Sequence, residues 1–115
     1  MRVLLALGIG FSVLAAAACS SSSTSPANSC GSSGANANVN TTSSNSFSPA
    51  SITIPHGQSV CWQSGNVLHT VTDNGGAFDV DLPVGQIFVH TYPAAGTYPY
   101  HCKIHAGMTG TVIVN

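Results

Sequence analysis

Alternation of apolar and polar positions begins past residue 46 and sets the plan of the chain. Residues 51–54 (SITI) and 58–63 (QSVCWQ) alternate with a period of two, separated by a turn at Pro55, His56 and Gly57. That period sends successive side chains to opposite faces of a strand, so Val60 and Trp62 share one face and Cys61 takes the other. A turn at 64–66 leads to a third alternating stretch, 67–72, in which His69 shares a face with Val67 and Val71. Asp73, Asn74 and two glycines turn the chain again, and the polar, proline-containing run 77–85 predicts an irregular connection. Strands are predicted over 86–92, 97–102 and 110–115, with a turn at 94–96. No window carries a helical period of useful length. Short strands with turn signals at this spacing predict an all-β chain folded as an antiparallel sandwich.

The first 45 residues read differently. Residues 3–18 are an apolar run behind Arg2 that ends in small residues, the layout of an export signal, and 1–18 is assigned as a signal peptide. Ala16 to Ala18 before Cys19 reads either as a secretory cleavage site or as the approach to a lipidated cysteine. Lipidation at Cys19 is the expectation, because the serine-rich run 20–25 then supplies the polar tether that an anchored domain needs. Residues 19–45 are Ser- and Asn-rich with little to bury and predict a flexible linker, with a first strand near its end at 37–41. The folded domain is then expected over 46–115. The expected location is outside the cytoplasm, in the periplasm or on the cell surface, with a membrane anchor.

Size and charge narrow the function classes. With 115 residues and 43% hydrophobic content, the chain has material for one small core. Two basic and three acidic residues leave a formal charge of −1. No basic patch can form, which excludes the multiple phosphate contacts on which nucleic-acid binding rests.

The chemistry concentrates between Tyr98 and Gly110. Cys102, His105 and Met108 stand three residues apart and bring together a thiolate, an imidazole and a thioether. Two histidines, one cysteine and a weak axial methionine form the donor set of blue-copper electron-transfer sites. His69 is the upstream imidazole that a folded sandwich can bring beside this loop. Cys102 could instead be a buried free thiol or half of a disulfide, Met108 could fill a gap in the core, and zinc could take the same Cys and His donors. Of the other histidines, His56 lies in a turn and His90 alternates with aromatics. His101 adjoins Cys102 but points to the opposite face.

Together, GQSVCWQSGNVLHTVT and GTYPYHCKIHAGMTGTVIV resemble the cupredoxins, small blue-copper proteins such as plastocyanin, amicyanin and pseudoazurin. The resemblance covers the chain from Phe47 onward and implies a Greek-key sandwich with one type 1 copper per chain, held by His69, Cys102, His105 and Met108. It also implies a monomeric electron carrier rather than an enzyme, exchanging single electrons with redox protein partners. The gap between His105 and Met108 is like amicyanin's. Ile104 stands where amicyanin-like loops carry proline, and Thr70 where many members have an asparagine that ties the two ligand loops together. The exposed edge of His105 is the expected electron port, with Lys103 as the one nearby cation for docking. A lipid-tethered copper-delivery protein is the alternative. An enzyme like copper nitrite reductase would need His101 and further imidazoles, with only His56 and His90 to spare. If Cys19 is lipidated and Cys102 binds copper, Cys30 and Cys61 remain as a candidate disulfide.

Overall fold

A computed structural model describes residues 29–115. The expected signal peptide, 1–18, and Cys19 lie outside the described residues. A short 3-10 turn, Cys30–Ser32, precedes nine strands: β1 (Ala37–Thr41), β2 (Phe47–Ser48), β3 (Ser51–Ile54), β4 (Ser59–Gln63), β5 (His69–Asp73), β6 (Asp79–Leu82), β7 (Ile87–Thr91), β8 (Gly96–His101) and β9 (Thr109–Val114). They form two sheets, ordered β2-β1-β4-β7 and β3-β9-β8-β5-β6.

The alternation seen in sequence decides which side chains the sheets enclose. Val39, Val60 and Trp62 from the first sheet meet Val71, Tyr100, Val112 and Leu82 from the second, all of them buried in one core. Trp62 is fully buried, edge-on to Tyr100 at 5.3 Å and beside Phe88 at 5.6 Å, so it joins the two sheets. Truncating such a side chain to alanine costs about 3–5 kcal/mol.

The sandwich departs from the expected plan in four places. The sheets are mixed, because β1 pairs with β4 and β3 with β9 in parallel. Each of these partners is joined by a long connection rather than a hairpin, which leaves its direction free. The strand expected at 37–41 is present as β1, and as an interior strand between β2 and β4 it carries the first sheet across the boundary expected at residue 46. Val39 and Thr41, both buried, hold it there despite its polar neighbours. The supposedly irregular run 77–85 contains β6, an edge strand that turns Asp79 and Asp81 outward and ends before Pro83. Finally, β5 starts at His69, and Val67 and Leu68 before it are exposed.

Cys61 faces outward from β4 as its parity requires, yet it is fully buried, because the chain ahead of β1 folds back over it. Cys30 and Cys61 are joined there as a disulfide with Cα atoms 5.6 Å apart. Beside them the Cys30 amide donates to Gln63 Oε1 at 3.0 Å. No helix among the described residues is long and apolar enough to cross a membrane.

Candidate metal centre

Register brings the ligand candidates to one end of the sandwich. His69 opens β5, and Cys102 follows the last residue of β8, its neighbour in the same sheet. Past Cys102 the chain turns back into β9, with the Cys102 amide donating to Met108 O at 3.0 Å and the Met108 amide to His105 O at 3.3 Å. Gly107 takes a positive φ of 77°, the left-handed conformation that glycine adopts without Cβ strain, and so permits this tight return. On the other side, Ser64 Oγ donates to Val67 O at 2.7 Å and orders the approach to His69.

The donor atoms of His69, Cys102 and His105 all lie within 4.8 Å of one another. His69 Nδ1 and His105 Nδ1 face each other at 3.1 Å, and Cys102 Sγ is 3.5 Å from His105 Nδ1. Two imidazole nitrogens and a sulfur therefore point at a common centre. Met108 is buried in the core beside them, and its main chain closes the loop. His69 is fully buried and Nε2 has no protein partner, so the polar contacts of its ring are all made at the Nδ1 edge. Burial, with His105 adding to it, holds the His69 imidazole below its ordinary pKa, which favours the neutral form that a metal needs. The donor set of two nitrogens, a thiol sulfur and a nearby thioether fits type 1 copper, the cofactor of cupredoxins.

The sulfur is also held from behind. Thr70 N–H donates to Cys102 Sγ at 3.3 Å, and the Lys103 amide donates to Thr70 Oγ1 at 2.8 Å. A threonine hydroxyl thus ties the two ligand loops together where the resemblance led one to look for an asparagine. Lys103 is not a lone cation: its ammonium is 2.7 Å from Asp79 Oδ2, with both side chains about half exposed. That contact raises the Lys103 pKa, while hydrogen bonds from Lys103 and then Thr72 lower that of Asp79.

The remaining histidines lie apart. His56 Nδ1 is 2.9 Å from Asn115 O, beyond the ends of β3 and β9. His90 packs against Phe78 at 4.6 Å and Tyr92 at 4.7 Å. His101 Nδ1 is 2.6 Å from Asn74 Oδ1. Among the described residues, His69, Cys102 and His105 form the one group of three His, Cys or acidic side chains that converges.

Comparison with known proteins agrees with this geometry. A search of curated proteins by sequence found no match. Among solved structures, a purple cupredoxin from Nitrosopumilus maritimus superposes with a TM-score of 0.62 at 26% identity, over 70% of this chain and 100% of that one. Amicyanin from Paracoccus versutus gives 0.61 at 29% identity over 69% and 80%. A copper-containing nitrite reductase from Thermus scotoductus gives 0.61 at 26%, but over only 22% of its own length. The family model of the cupredoxin-like domain matches residues 9–114, and the chain belongs to that family.

Proposed function

We propose that His69, Cys102, His105 and Met108 hold one copper ion and that the protein carries single electrons between redox protein partners. The observation that carries this reading is the convergence of the His69, Cys102 and His105 donor atoms at one end of the sandwich. When bound, copper supplies a one-electron change between two oxidation states. The chain's part is to keep its donors in place through that change. His69 is set by a strand and Cys102 by a strand end, while two main-chain hydrogen bonds close the loop through His105 to Met108. Donors fixed before metal enters need little rearrangement between states. The Thr70 amide places a hydrogen-bond donor on the sulfur, which tunes its charge.

His105, partly exposed, is the proposed port. The exposed Val67, Leu68 and Ile104 belong to the segments that carry His69 and His105, and Val84 lies in the neighbouring loop. That loop is tied to the first segment by the Gly85 amide donating to Ser64 O at 3.0 Å. A small apolar face of this kind suits the brief encounters of electron carriers. We place the protein outside the cytoplasm, tethered through a lipid on Cys19, as a monomer without catalytic activity of its own.

Voltammetry with metal analysis before and after cycling tests the proposal. A carrier gives a reversible one-electron wave and keeps one copper per chain in both states. Release of copper on reduction would point to delivery, and two coppers per chain to an enzyme.

A further inference from the structure

Behind the cluster, on the outer face of the second sheet, four residues close a circuit of hydrogen bonds. Thr70 and Thr72 lie two residues apart on β5 and so face the same way. Asp79 is the partner of Thr72 across the ladder on β6, and Lys103 directly follows Cys102. The Lys103 amide donates to Thr70 Oγ1 at 2.8 Å, Thr70 Oγ1 lies 3.2 Å from Thr72 Oγ1, Thr72 Oγ1 donates to Asp79 Oδ1 at 3.0 Å, and Lys103 Nζ donates to Asp79 Oδ2 at 2.7 Å. The circuit begins at the main chain of Lys103 and ends at its side chain.

The charges at its end set the direction of every proton within it. A carboxylate only accepts, so the Thr72 hydroxyl must donate to Asp79. Thr72 Oγ1 then accepts the hydroxyl proton of Thr70, which leaves Thr70 Oγ1 to accept from the Lys103 amide. Neither hydroxyl is free to rotate, and hydrogen bonds aligned in this way strengthen one another. Both threonines are buried, whereas Lys103 and Asp79 are about half exposed. The buried hydroxyl links therefore contribute most, since an exposed ion pair alone is worth little.

We propose that Thr72, Asp79 and Lys103 are positioning residues for the Cys102 sulfur. By fixing the Thr70 hydroxyl and the Lys103 amide, they hold the main chain of Thr70 so that its N–H stays on Cys102 Sγ. A donor on the thiolate stabilises the state in which sulfur keeps more negative charge, which is the reduced one, so the ring raises the potential. Lys103 thereby acts on the site from behind. The inference rests on the copper reading for its redox part only.

The test uses the full chain as wild type, Thr72→Val, Thr72→Ser and Asp79→Asn. In metal-free protein, amide hydrogen exchange at Thr70 and Lys103 should quicken about ten-fold in Thr72→Val, the equivalent of one lost hydrogen bond, and return toward wild type in Thr72→Ser. In copper-loaded protein, Thr72→Val should have a lower midpoint potential and a displaced thiolate-to-copper band, both restored by Thr72→Ser. Asp79→Asn, altered at an exposed side chain, should give the same changes in smaller degree and keeps the test open if Thr72→Val does not fold. Exchange rates unchanged in both the valine and asparagine variants would overturn the ring, as would potentials and bands that coincide with wild type. A wild type without the band would refute the copper assignment instead, while exchange would still decide the ring.

Discussion

Cys61, within the first sheet, and Cys102, just past the end of a strand of the second, are both buried, and their surroundings make them different chemical groups. Cys61 lies under the returning chain, where the parallel pairing of β1 with β4 brings Cys30 within bonding distance. Cys102 stands free between two imidazole nitrogens and the Thr70 amide. The first sulfur joins the N-terminal segment to the first sheet, and the second is left as a donor at the end of the other sheet. Burial alone makes neither a ligand nor a staple; what lies within reach of the sulfur does. The two sites should therefore respond to mutation in opposite ways.

The largest effect separates them most cleanly. Cys102→Ala should abolish the thiolate-to-copper band while changing the stability of the metal-free protein by no more than about 2 kcal/mol, as measured by denaturant unfolding. Replacing Cys30 and Cys61 together by alanine should do the reverse. The bond closes a loop with a sequence separation of 31, so its loss should cost roughly 3–4 kcal/mol by chain entropy, with the band left in place. A band displaced in that variant would mean that the two sheets are coupled and the two sulfurs are not independent. Gly110→Ala perturbs the second sheet instead. Tyr100 pairs with Gly110 across the β8–β9 ladder, and a Cβ at Gly110 would run into the Tyr100 ring. This overpacking should cost about 1–3 kcal/mol, and because Tyr100 is two residues before Cys102, the band should move as well.

Much of this arrangement could be read from the chain, for reasons that also explain the rest. β3 alternates clearly and β4 sends Val60 and Trp62 to the core, while β7, β8 and β9 are marked by β-branched and aromatic residues between turn signals. β6 is hard to tell from a polar loop in sequence, because it is an edge strand with two outward aspartates and only Val80 and Leu82 turned in. β1 is held by two buried positions in a run that is otherwise polar, so its place inside a sheet depends on partners far along the chain. At the site, the types and spacing of Cys102, His105 and Met108 reveal a donor loop without any fold. Bringing His69 to it needs the neighbouring placement of β5 and β8. Thr72 and Asp79 carried no signal, since their ring exists only through the register of β5 with β6. For the same reason Lys103 looked like a free cation until its partner was seen.

If Cys102, His69 and His105 form a copper–thiolate centre, it will be visible in the absorption spectrum of the protein with one equivalent of Cu(II). The expected result is an intense thiolate-to-copper band that saturates at one copper per chain and disappears on reduction. A colourless protein under the same conditions, or a band that still grows beyond one equivalent, would contradict it.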